Sequence, residues 1–435
     1  MKKIIVFVIL AVALAVMLFA APNGGDEPRV ILIKNATIFP IVGDKIDQGQ
    51  LLIQDGKIAA LGKSVTAPEG ALVIDAAGLS VYPGIIDAFS HYGLSEIGAI
   101  GSTVDMREMG KENPELHASW AINPGSVHFG TGRVNGTTSA LVAPVGGTFP
   151  GIAALVRMDG WTVPEMTIKD SAASLINFPM TPRSSGAESV SQQQESKVDV
   201  TSKLVDKIRD TLKEARRYLQ LKKAAAADPK LTAPAVNEKY EALAPVLDGT
   251  LPVIISVEKD KDIELAIKFT QEEKLKAIFR GCEQGYKVAD KIKKAGIPVI
   301  IDSLYTGPTD PEDGYDAPFR NPGELVKAGV TICFSSGDDP SAGKDIVYHA
   351  ARAVAFGLDH EEALKALTIN TARVLGIDNR LGSLEVGKDA DLFITSGDPL
   401  DPKSDVKHMF IAGRHIDMKN YWETLYEKYK ARPIR

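Results

Sequence analysis

Between about residue 80 and residue 380, short apolar runs alternate with helical patterns, and no other feature constrains the fold of this chain as strongly. Strand-like runs lie at Ile85 to Asp87, Thr138 to Val142, Val253 to Val257, Ala277 to Phe279, Ile297 to Ile301 and Thr331 to Phe334. Helical periodicity is clear in Lys203 to Leu221, Asp262 to Lys274 and Lys287 to Lys294. Alternation of this kind is the signature of parallel β/α architecture, and it predicts an α/β fold with a (β/α)8 TIM-type barrel. Strands three and four are expected somewhere within Ala153 to Phe178. Ser184 to Ser196 has no apolar period and reads as a surface loop.

Both flanks of this region are β-rich. Val30 to Ile33, Asn35 to Phe39 and Leu51 to Leu61 read as strands, and Asp55-Gly56 between two apolar runs is a hairpin signal because both central residues of the favoured turn need positive φ. Leu381 to Ile394, Val406 to Phe410 and Ala412 to Arg414 repeat the pattern of short strands and turns.

The bounds are those of ordinary globular material. The 435 residues are 44% hydrophobic and 24% charged, enough for one large barrel and an accessory module. A formal charge of -6, with no basic block, argues against nucleic acid as a partner. Met1 to Ala21, with Lys2 and Lys3 ahead of an apolar run from Ile4 through Phe19, reads as a secretory signal, and the expectation is an exported, periplasmic or secreted protein. An uncleaved membrane anchor is the alternative reading. Cys282 and Cys333 stand far apart and outside any Cys-x-x-Cys arrangement, so both read as structural thiols.

Several stretches carry a family resemblance: Pro83-Gly84-Ile85-Ile86-Asp87-Ala88, Asn135-Gly136-Thr137-Thr138-Ser139, Leu251-Pro252-Val253-Ile254-Ile255, Ser335-Ser336-Gly337-Asp338-Asp339-Pro340, and Gly382 to Asp391. In this order and spacing the chain resembles the imidazolonepropionase-like branch of the amidohydrolase superfamily. The resemblance implies one composite β-sandwich closed by both chain ends, residues 29–79 and 381–417, beside a barrel over 80–380. Residues 418–435 remain as a C-terminal helix or tail. It also implies a hydrolase acting on a cyclic or dipeptide-like amide. In active relatives a divalent metal such as zinc activates water, and a strand-eight aspartate moves the proton.

The ligand set implied by the resemblance is depleted. Strand one keeps His91 and has Phe89 where a second histidine belongs. Strand eight keeps Asp338, as metal ligand and catalytic acid-base. Ser256 stands at the strand-five histidine position and Arg280 at that of strand six, so two ligands of five survive where zinc takes about four. Two readings therefore stand open. One is a hydrolase with a weak or absent metal. The other is an inactive paralogue that binds a small ligand, or pairs with an active amidohydrolase subunit in a heteromer; a homo-oligomer is also expected. Asp338 would otherwise be left without its cation, and Arg280, with five donors and a permanent charge, is predicted to pair with it or with an anionic ligand.

The remaining histidines read as structural: His117 and His128 as solvent-facing loop residues, His349 and His360 beside a helix, His408 and His415 in the sandwich. Glu258 and Glu283, each just beyond a strand, read as solvated charges with oxygen-ligand chemistry as the alternative. Gly146, Gly147 and Gly151 resemble a substrate-side loop of the family.

Overall fold

A computed structural model describes residues 30–179 and 190–433, so the Met1 to Ala21 segment lies outside the described residues. Sixteen strands form two sheets. They are β1 (Val30–Ile38), β2 (Ile46–Gln54), β3 (Lys57–Gly62), β4 (Leu72–Asp75), β5 (Ser80–Pro83), β6 (Ile85–Ser90), β7 (Thr137–Val142), β8 (Ile152–Arg157), β9 (Thr167–Asn177), β10 (Val253–Val257), β11 (Ala277–Gly281), β12 (Val299–Ile301), β13 (Ile332–Phe334), β14 (Leu392–Thr395), β15 (Val406–Ile411) and β16 (Arg414–His415).

The first sheet joins both chain ends. Its order is β16-β15-β14-β5-β1-β2-β3, with β4 against β1. The seam is the antiparallel β5–β14 pair, where Val81 faces Ile394 and Pro83 faces Leu392. Ile31, Ile33, Ile53, Val81, Leu392 and Phe410 bury a common core here, so apolar contact between segments distant in sequence offsets the cost of closing the long loop. Asp55 (φ 49°) and Gly56 (φ 78°) make the β2–β3 hairpin as their sequence demands.

The second sheet is the barrel, in the order β13-β12-β11-β10-β9-β8-β7-β6. Strands β9 to β13 run parallel, as do β6 and β7, but β8 is antiparallel to both of its neighbours. Strands three and four thus lie where the sequence placed them, with one pointing the other way. The Ser336 N–H donates to Asp87 Oδ1 at 3.0 Å and draws β13 toward β6, so the barrel is nearly closed.

Alternation along the strands decides what faces the axis. Ile254, Ile278, Ile300 and Cys333 fill the interior with Phe89, Leu141 and Leu155, and the helix Ile369–Leu375 plugs the base with Ile369, Ala372 and Leu375. Two residues further on, at the carboxyl ends, the same parity brings Ser256, Arg280, Asp302 and Ser335 inward. Outside, the helix Val190–Ala227 lays Val205, Ile208, Leu212 and Ala215 on the barrel at helical spacing. Its start overturns part of the loop expectation for Ser184 to Ser196. The chain is helical from Val190, since Gln and Glu favour helix without an apolar period; residues 184–189 lie outside the described residues. The tail forms a helix, Tyr421–Lys430, closed by an Asn420–Glu423 capping box.

Candidate functional site

Phe89, His91, Arg280 and Asp338, which the sequence places at the ends of barrel strands, assemble at the barrel mouth. Phe89 is buried at the top of β6, and Arg280 on β11 sets its guanidinium over the Phe89 ring, with Cζ 3.7 Å from the centroid. A permanent cation over an aromatic face is attractive, and more so when desolvated. From that platform Arg280 Nε donates to Asp302 Oδ1 at 3.0 Å and Nη2 donates to Asp338 Oδ1 at 2.6 Å. Burial works against the charge on Arg280, but Asp302 and Asp338 outweigh it and hold the group protonated. The expected Arg280–Asp338 pair is present, with a second carboxylate beside it.

His91 completes the group. Its Nδ1 lies 2.6 Å from the Ala143 carbonyl, a pure acceptor, so Nδ1 carries a proton and Nε2 points to the mouth, 3.2 Å from Asp338 Oδ1. The His91 hydrogen bond, followed by the Arg280 charge, holds the Asp338 carboxyl far below the usual carboxylate range. Its side chain is nonetheless 68% exposed, so the acid is paired on one side and open to solvent on the other. Beneath lies Asp87, fully buried, with Oδ1 taking the Phe89 and Ser336 N–H groups and Oδ2 lacking a donor. Burial pushes its carboxyl up to about 7.

The Asp338 oxygen nearest His91 already receives the Arg280 guanidinium. Among the described residues no cluster of three or more His, Cys, Asp or Glu side chains is placed to hold a metal ion. The Ser256 Cα lies opposite Arg280 in the β10–β11 register and opposite Asn177 in the β9–β10 register, which places it in the same ring of positions.

Asp302 escaped the sequence reading, although an acid immediately after the run Ile297 to Ile301 was a signal for it. It accepts from both Arg280 and Ser335 Oγ, the latter at 2.7 Å. Glu283 accepts from Thr309 Oγ1 rather than standing as a solvated charge, and Glu258 offers its backbone carbonyl to the Gln284 N–H at 3.0 Å. Lys259 and Gln284 hold Asp310, and Gln284, Tyr286 and Lys287 hold Asp313, pinning the long loop after β12 over the mouth.

The loop-histidine expectation is corrected at two positions. His128 is buried in the helix Val127–Gly132, with Nε2 at the Glu96 carbonyl, and His117 stacks on Trp120 and pairs with Asp170 at 2.9 Å. His349 is buried against Tyr305, and burial lowers its pKa to about 4. His360 pairs with Asp398, and His408 meets His415 across a hairpin. Gly147 and Gly151 serve close backbone approach: a Cβ would stand 2.6 Å from the Lys111 carbonyl oxygen and 2.4 Å from that of Leu116. Cys282 and Cys333 are buried free thiols, and burial raises both.

Known proteins share this arrangement of fold. The chain is 23% identical over 426 residues to amidohydrolase tasK of Hapsidospora irregularis, covering 87% of this chain but only 42% of that protein. It is 35% identical over 85 residues to the imidazolonepropionase of Symbiobacterium thermophilum, 19% of this chain and 20% of the relative. The crystal structure of an amidohydrolase from Thermotoga maritima superposes with a TM-score of 0.79 at 28% identity, covering 89% of this chain and 100% of the other. A sequence profile described as "Amidohydrolase family" matches residues 80–416, which spans the barrel and the returning sandwich strands, and the chain belongs to that family.

Proposed function

We propose that this chain is a binding member of the amidohydrolase family, in which an internal guanidinium takes the place of the metal as the cation facing the strand-eight aspartate. The observation that carries the reading is Arg280, stacked on Phe89 and bonded to Asp302 and Asp338 at the positions where ligands would converge. Zinc takes about four N, O or S donors, and a permanent cation among two of them opposes a second cation. The half-open Asp338 carboxylate offers acceptor capacity to the N–H of a small cyclic amide or dipeptide-like molecule, a ligand class suggested by the similarity to imidazolonepropionase. Association with an active amidohydrolase subunit would fit a chain of this kind, as would export under the Met1 to Ala21 segment.

The test pairs metal content with turnover. Purified protein should carry substoichiometric zinc, show no zinc-dependent rise in Tm, and bind but not hydrolyse members of a panel of lactams and dipeptides. The triple variant Phe89→His, Ser256→His, Arg280→His should gain a site from five converging side chains and a Tm that rises with zinc by mass action. Stoichiometric zinc with turnover in the wild type would establish instead the hydrolase reading built on His91 and Asp338.

A further inference from the structure

The end of the barrel opposite the mouth carries charge of the other sign. A cleft of about 330 Å³ opens where the chain enters β12 and β13, lined by Lys293, Gly296, Gly329, Thr331, Asn370 and Arg373. Lys293 folds back over Gly329, whose Cα has φ +83°; a Cβ there would stand 3.3 Å from Lys293 Nζ, so the missing side chain is what lets the ammonium lie at the cleft. Neither Lys293 nor Arg373 forms an ion pair with a carboxylate among the described residues. Arg373 feels the charge of Glu385, but that carboxylate is already held by Lys388 at 2.7 Å and by Ser383. Lys169 and Lys276 stand on the same end of the barrel, and Lys169 bonds to the Leu375 carbonyl at the end of the plug helix. Burial, with a smaller contribution from the neighbouring Lys276, lowers the Lys169 pKa. In a chain of net charge -6 this collection is local and not a general basicity.

We propose that this cleft is a second ligand site, separate from the mouth, that takes a small polyanion of the phosphate class. The Arg373 fork suits a tetrahedral oxyanion bidentately, Lys293 adds a point charge, and neutral donors come from the Thr331 hydroxyl and the second hydrogen of the Asn370 amide, whose first goes to the Ile332 carbonyl. The helix that carries Asn370 and Arg373 is also the plug under the barrel interior, so an anion bound here braces the floor on which the mouth is built.

Calorimetric titration of the full chain with pyrophosphate and with inorganic phosphate decides the matter. One site per chain is expected, tighter for pyrophosphate and weakening as salt is raised toward 0.15 M. Lys293→Gln with Arg373→Gln, both at exposed positions, should weaken binding by about tenfold or more with the unfolding midpoint unchanged. Arg280→Met, which alters the mouth, should leave the titration as in wild type. No binding of either anion, equal affinity in the double variant, or loss of binding in Arg280→Met would each overturn the proposal.

Discussion

Two clusters in this molecule are built from the same parts and differ in what surrounds them. At the mouth, Asp302 and Asp338 share the Arg280 guanidinium, His91 meets Asp338, and Asp87 lies buried beneath them on the Phe89 and Ser336 N–H groups. Where the barrel base meets the sandwich, Lys57, Arg157 and Arg380 pair with Asp389, and Arg157 also approaches Asp391. Each cluster holds one carboxyl depressed by its partners, Asp338 and Asp389, and one raised by burial, Asp87 and Asp391. The seam is buried and rich in cations: its two aspartate side chains are 8% and 2% exposed, three basic residues serve Asp389, and Arg157 lies 3.6 Å from Asp391. The mouth is wet and acid-rich, with Asp338 68% exposed. A buried, cation-rich cluster holds modules together, whereas an open one with acceptors to spare receives something.

The sharpest way to break this comparison is at the seam. Arg157→Met would leave two buried carboxylates short of their shared cation, and should cost about 3–5 kcal/mol in denaturant unfolding. A loss below about 1 kcal/mol would mean that the seam is no more committed than an exposed pair.

Next in size is Asp87. A buried carboxyl whose folded pKa is raised binds a proton more tightly in the native state, so its contribution is fully present below the unfolded value, near 3.8, and is lost as pH rises through about 7. Stability of the wild type should therefore fall across that window by a few kcal/mol from this group. Asp87→Asn should flatten the slope. Asp338 acts with the opposite sign: its depressed pKa gives stability above the unfolded value that is lost as pH falls below it, discounted because the group is largely exposed.

Arg280→Met should cost less than the seam change, about 1–2 kcal/mol, because water can solvate Asp338 and partly Asp302 once the guanidinium is gone. Equal losses for Arg157→Met and Arg280→Met would erase the distinction between the clusters. The smallest effect belongs to Phe89→Leu, which keeps most of the apolar volume but removes the ring under Arg280; about 1 kcal/mol is expected, read from the same unfolding curves.

Much of this was legible in the sequence, for particular reasons. The β2–β3 turn was readable because Asp55-Gly56 has a backbone requirement few residues meet. The pairing of Arg280 with Asp338 was readable because strand parity fixes which residues face the axis, and a lone acid there needs a cation. The direction of β8 was not, since alternation with period two looks the same whichever way a strand runs. The burial of His128 was equally hidden, because a histidine beside a glycine and a proline turn gives no sign of the helix Val127–Gly132 closing over it. The helix start at Val190 escaped because a polar stretch can be helical on propensity alone.

The reversal of β8 has a mechanical consequence. Seven barrel strands end at the mouth, but β8 ends at the base, and its last residue is Arg157, gripping Asp389 and lying 3.6 Å from Asp391 in the sandwich module. The strand thus behaves as a tie rod through the barrel wall. Tension pulling the two modules apart would be shared between the covalent β5–Gly84–β6 link and β8, which passes it into the hydrogen bonds of β7 and β9 that flank it, along strands whose opposite ends sit at the mouth beside Ala143 and Asn177. A load applied at the sandwich would reach the His91 side of the mouth, where the Ala143 carbonyl orients the imidazole, before the strand that carries Arg280, which lies two ladders beyond β9.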